Sequence, residues 1–166
     1  AIPGGSHAEA CFRIPSPLKG RSPAAVDPPE FAARLAQVTT AWMLLLNTRM
    51  QVTVPEPRVN DAYRAWLAFN FLDVDKQGDQ YRPHDGAGFY EETFGYSAVL
   101  YCHALDLWGY HDDSRRYLES LLTLQKDDGL FYVRYGVPDH GGMLMALSEH
   151  YRMTGDKEWL LRIAPR

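Results

Sequence analysis

The densest chemistry in this 166-residue chain lies in twelve consecutive residues, Tyr81-Arg-Pro-His-Asp-Gly-Ala-Gly-Phe-Tyr-Glu-Glu92. They carry one guanidinium, one imidazole, three carboxylates and two phenols. Planar bidentate groups read neighbouring hydroxyls, and phenol rings stack on the flat faces of sugars. Gly86 and Gly88 lack a Cβ and let backbone approach a ligand closely. A polyhydroxylated ligand suits this segment, with Tyr81, Arg82, His84, Asp85 and Tyr90 as candidate binding groups. The plainer reading is a loop tied down by an Arg82–Asp85 pair. Glu91 and Glu92 are then favourable first-turn charges at a helix N-terminus.

Cleaving a glycosidic bond needs a carboxylic acid to protonate the leaving oxygen and a second carboxylate to activate water. Glu91 or Glu92 is the candidate acid, and Asp85 with either of them supplies one member of such a pair. No neighbouring residue supplies the other. His84, His103, His111, His140 and His150 are scattered without HExxH or Cys/His spacing, so no metal is expected. His103 and Asp106 share a helix face, which reads as a surface or inter-helix hydrogen bond. Gly86-Ala-Gly88 follows no strand and lacks a third spaced glycine, and no GxSxG elbow exists. No cofactor is therefore expected. Cys102 sits in an apolar stripe and reads as a small buried hydrophobe. A single Cys11–Cys102 bridge is the alternative.

A net charge of -4 gives no electrostatic reason to expect nucleic acid as partner. The longest apolar run, Ala41 to Leu46, is too short to span a membrane, and no signal peptide is visible, so a soluble protein is expected. The aromatic share of 13% fits either large residues at helix-packing seams or a groove that stacks rings on a ligand.

The elements that position these groups follow from punctuation and period. Residues 1–28 hold five of the eleven prolines and read as an extended segment before a helical domain at 29–166. Asp27-Pro-Pro-Glu30 is a helix start, and Phe31, Leu35, Val38, Trp42, Leu45 and Leu46 form one apolar face. Met50 to Val54 reads as a short strand or extended connector. Arg58 to Asp73 reads as a helix with Tyr63, Trp66, Leu67, Asn70 and Phe71 on one face. Residues 77–90 read as a long loop, and long loops inside compact domains tend to carry function. Glu91 to Trp108 is the next helix, with Phe94, Ala98, Tyr101, Cys102 and Leu105 as its stripe and Gly109 beyond its end. Asp112 or Asp113 caps a helix to about Gln125. Asp128-Gly129 turns the chain, and Leu130 to Tyr135 is a candidate strand. A helix from Asp139 to Thr154 stops at Gly155, and Asp156 opens the last one. Aligning ALDLWGY at Ala104 with ALSEHYRMTG at Ala146 gives a helix-pair repeat. Its period is 42 residues between the alanines and 46 between Gly109 and Gly155. Helix pairs of this size bury their apolar faces only by stacking.

Three segments together resemble the six-hairpin glycosidase superfamily, the (α/α)6 toroids that include glucoamylase-like, trehalase-like and debranching-type enzymes. The first is Trp42-Met-Leu-Leu-Leu46 followed by Val54-Pro-Glu-Pro-Arg-Val-Asn60. The second is the His84-Asp-Gly loop leading into ALDLWGY and then Gln125 to Phe131. The third is the stretch from His140 to Trp159. The resemblance covers residues 31–166. It implies an all-α helical-hairpin array with short β connectors, forming about three of six hairpins, a partial toroid. It also implies a glycoside as substrate and inverting acid/base hydrolysis in the complete parent, with the later hairpins and their second catalytic carboxylate absent. Arg82 and Asp85 lie near the Arg-Asp pattern that holds the sugar in glucoamylase-like members, with His84 directly before Asp85 as a departure. His140 joins the candidate sugar ligands. One rival is a non-catalytic helical repeat that binds sugar or packs against a partner or itself through unpaired hairpins. Another is a terpene-cyclase-like toroid, since Gln125 to Phe131 resembles the Gln-Trp repeat of triterpene cyclases with Phe in place of Trp. No DxDD-type segment accompanies it.

Overall fold

A computed structural model describes residues 4–8, 10, 28–86 and 88–165. Most of the Pro- and Gly-rich 1–28 segment lies outside the described residues, as do Asp27, the predicted cap of the first helix, and Cys11, so the alternative bridge falls there too. The chain divides into two compact units, Ala1–Leu45 and Leu46–Arg166.

In the first unit, helix α1 (Pro28–Asn47) begins on two prolines, which suit the first turn because its N–H groups have no intrahelical acceptor. Arg34 pairs with Glu30 one turn away at 2.8 Å. Phe31, Leu35 and Val38 of its apolar face are exposed.

The second unit is helical apart from one hairpin. Its elements are α2 (Pro57–Leu72), β1 (Val74–Gln77), β2 (Gln80–Pro83), α3 (Gly95–Leu107), α4 (His111–Leu122), α5 (Val137–Thr154) and α6 (Lys157–Ile163). Met50 to Val54 is a connector rather than a strand. Asn60 of α2 occupies both the N–H and the C=O of Val54, at 2.8 and 2.9 Å, in place of a partner strand. Of the predicted α2 face, Leu67 and Asn70 are buried, while Trp66 is exposed and stacks on Phe69 at 5.3 Å.

The predicted 77–90 loop is in part a correction. β1 and β2 pair antiparallel with Asp75 opposite Arg82 and Gln77 opposite Gln80. The two-residue Gly78–Asp79 connection works because Gly78 takes φ +61°, as a glycine-first hairpin turn requires. The helix expected from Glu91 begins four residues later. A 3-10 turn at Gly88–Tyr90 and an extended Phe94 N-cap (φ -104°, ψ 117°) keep Glu91 and Glu92 out of the first helical turn.

Helices α3, α4 and α5 pack together. Ala98, Val99, Cys102, Leu105, Leu118, Leu121, Met143, Ala146 and Trp159 are fully buried or nearly so. Each large one contributes about 1.5–3 kcal/mol of transfer free energy. Two glycines permit the close approach of α3 to α5. A Cβ on Gly142 would lie 2.8 Å from Val99 Cγ2, and one on Gly95 would lie 2.7 Å from Asp139 Cγ. Both predicted helix stops form: Gly109 after α3 (φ +83°) and Gly155 after α5 (φ +67°) adopt the left-handed backbone that ends a helix. Asp156 then caps α6 by accepting from Trp159 N–H at 2.8 Å.

Two further expectations are revised. Tyr110 is the N-cap of α4, so Asp112 and Asp113 serve as first-turn charges against the helix dipole. Leu130 to Tyr135 forms no strand, only an isolated bridge between Gln125 and Phe131. The N–H groups of Val133, Arg134, Tyr135 and Gly136 all turn to one acceptor, Asp139 Oδ2, at 2.7–3.2 Å. They are unavailable to a neighbouring strand.

Candidate functional site

A polar cleft of about 470 Å³ opens beside the hairpin, and Arg82, His84, Glu91 and Glu92 all line it. Its volume is within the range of small-ligand sites. Asp75, Gln77, Thr93 and Arg134 complete its polar lining.

Each group reaches the cleft for a local reason. In the hairpin, Asp75 and Gln77 are two residues apart on β1 and share a face. Arg82 lies opposite Asp75 and is braced on neutral partners, Gln80 Oε1 at 2.7 Å and Thr123 Oγ1 at 3.4 Å. The expected Arg82–Asp85 pair does not form; Asp85 Oδ1 instead accepts from Ser97 Oγ of α3 at 2.5 Å. His84 is anchored at both ends. Its N–H donates to Asp73 O at 2.9 Å and its Nδ1 lies 2.8 Å from Gly86 O. Its Nε2 lies 3.9 Å from Asp75 Oδ1. Across the cleft, Glu92 is ion-paired with Arg134. The Arg134 guanidinium also covers the Phe94 ring at 5.1 Å.

Asp73 stands behind His84. Burial raises its carboxyl above the ordinary value, His84 opposes that rise, and Asp85 adds to it. Its Oδ2 is buried without a hydrogen-bond partner. Burial first, then the charges of Asp85 and Asp73, push up the Tyr101 phenol.

The remaining candidates lie elsewhere. Tyr81 stacks on Tyr117 at 6.0 Å, with its N–H donating to Ser120 Oγ at 2.8 Å. Tyr90 is exposed and packs edge-on against Phe89 at 5.2 Å. His140 Nδ1 accepts from Phe131 N–H at 3.2 Å, fixing the turn before α5. These three residues and Asp85 do not line the cleft.

Sequence reasoning missed Asp75, Gln77, Thr93 and Arg134. A Gly-Asp pair between two extended runs is a hairpin signal and would have placed Asp75 and Gln77. No local pattern announces Arg134. It is delivered by the segment 133–136, which Asp139 gathers from six to three residues downstream. Burial raises the Asp139 carboxyl, but the four backbone donors outweigh it and hold the group below its ordinary value.

A second polar cluster lies inside the helical core. Asp106 Oδ1 accepts from His150 Nδ1 at 2.8 Å and His111 Nδ1 at 2.9 Å, while Ser114 Oγ lies 2.7 Å from Oδ2. The serine meets the carboxylate rather than an imidazole, so this is no nucleophilic triad. It ties α3, α4 and α5 together, and His103 Nδ1 has no part in it. Among the described residues, no group of three or more His, Cys, Asp or Glu side chains is arranged to hold a metal ion. No described helix is long and apolar enough to cross a membrane. Compared with protein-family models, with curated proteins and with solved structures, the chain matches none.

Proposed function

We propose that this chain is part of an (α/α)6-toroid, glycosidase-like protein, and that the cleft beside the hairpin binds a glycoside. One observation carries this reading. Four of the polar residues singled out in the 81–92 segment, Arg82, His84, Glu91 and Glu92, converge on one cleft of about 470 Å³. There, Arg82 donates to ligand hydroxyls in a bidentate manner, and the carboxylate of Asp75 accepts from them. With Glu92 held by Arg134, Glu91 is the carboxyl available as an acid. The complete protein hydrolyses its substrate with inversion.

Calorimetric titration with a panel of mono- and disaccharides tests the reading. Saturable binding weakened at least tenfold, about 1.4 kcal/mol, by Arg82→Ala supports it. Absence of binding across the panel, or full affinity in Arg82→Ala, defeats it.

A second reading is favoured by a different observation. An apolar groove of about 260 Å³ is lined by Leu122, Leu144, Leu147, Leu160 and Ile163. Such grooves suit helix packing, as in a repeat module that associates with itself or a partner. Concentration-dependent mass in sedimentation would favour it.

A further inference from the structure

Glycoside hydrolysis requires a proton acceptor opposite the acid, and the cleft contains one that is not chosen by residue type alone. His84 Nδ1 lies 2.8 Å from the Gly86 carbonyl, which can only accept, so Nδ1 carries the hydrogen. In the neutral ring, Nε2 therefore holds the lone pair. That nitrogen is on the side of Asp75, 3.9 Å from its Oδ1, and the side chain as a whole is 12% exposed. Backbone bonding to Asp73 on one side and the Gly86 contact on the other leave the ring little freedom to exchange its two nitrogens.

We propose that His84 is the proton-accepting group of the cleft, presenting an unprotonated Nε2 to the ligand, with Asp75 as the residue that stabilises the resulting imidazolium. The inference rests on the glycoside reading and supplies the group that the carboxyl count along the sequence leaves missing. In the step, a water gives a proton to His84 Nε2 as its oxygen bonds to the anomeric carbon. The bond from that carbon to the leaving oxygen breaks with its electron pair on that oxygen, which takes the proton of the Glu91 carboxylic acid.

Charged groups of both signs surround the ring. Asp73 at the end of α2, Asp75 on β1 and Asp85 beside the ring are anionic neighbours, opposed by Arg82 on β2. Glu91 and the paired Glu92 and Arg134 lie in the same cleft, and the Tyr101 phenol of α3 is near Asp73 and Asp85.

Long-range 15N–1H NMR of the ligand-free chain from pH 4 to 9 tests this directly. The expected result is hydrogen on Nδ1 of the neutral His84 ring. Hydrogen on Nε2 overturns the proposal without touching the sugar titration above. With an aryl glycoside that the wild type binds, His84→Gln should lose at least a hundredfold in turnover, the range for a general base. Asp75→Asn should lower turnover as well. Binding without turnover by the wild type, or equal turnover by His84→Gln, refutes the catalytic role while leaving the binding cleft intact.

Discussion

Replacing Asp139 with Asn should both destabilise the helical unit and disturb the cleft. Asp139 is fully buried, and one of its oxygens accepts from four consecutive backbone N–H groups at 2.7–3.2 Å. A hydrogen bond to a charged acceptor contributes about 1.5–3 kcal/mol, but four donors sharing one oxygen are not additive. Asn keeps a carbonyl acceptor and loses the charge. Its NH2 also replaces Oδ1 where that atom crowds Gly95 at 2.9 Å from the position of a Cβ. The expected loss is about 2–3 kcal/mol, a large part of a typical domain stability of roughly 5–15 kcal/mol. At an m-value near 1–3 kcal/mol/M this lowers the urea midpoint by about 0.7–3 M. The sign with pH is determined. Because the folded carboxyl lies below its unfolded value, its stabilisation is complete above about pH 4 and is lost as pH falls through the folded value. The gap between wild type and Asp139→Asn should thus be constant from pH 7 to about pH 5 and narrow below about pH 4. Equal midpoints at pH 7, or a gap that persists unchanged to about pH 2, would refute the reasoning. As the same four donors position Arg134, the variant should also weaken any sugar that the cleft binds.

Gly142→Ala should cost about 1–3 kcal/mol by thermal or urea unfolding, because its Cβ would meet Val99 Cγ2 at 2.8 Å and α3 and α5 would have to separate. Asp106→Ala, which leaves the buried His150 donor unpaired while Ser114 Oγ keeps Cys102 O at 2.9 Å and His111 can turn to water, should cost about 1–3 kcal/mol. A cost below about 1 kcal/mol would show that the cluster does not hold the three helices together. Cys102 is fully buried, and burial first and then the Asp106 charge push its thiol well above the ordinary value. In a Cys11→Ser background it should resist a thiol reagent in buffer and react stoichiometrically in denaturant, and rapid native labelling would contradict its placement.

The helical character, the hairpin ends at Gly109 and Gly155, the cap at Asp156 and the buried stripe of α3 were all legible along the chain. Each depends on contacts within one or two helical turns, where residue type and a period of 3.6 decide the outcome. Starts were less legible than stops. A glycine at positive φ ends a helix by its own backbone, whereas the start of α3 at Gly95 depends on the 3-10 turn at Gly88–Tyr90 and the seat of Gly95 against Asp139. The 81–92 segment announced its chemistry by composition, yet only four of its seven candidates share the cleft. Ser97 holds Asp85, Tyr117 stacks on Tyr81, and Tyr90 packs on Phe89. Residues far apart in sequence, Asp75 and Arg134 in the cleft and Asp106 with His150 in the core, meet only through strand pairing, a buried carboxylate and helix packing. Those contacts are set by the shape of the whole unit, which no local pattern of residues encodes.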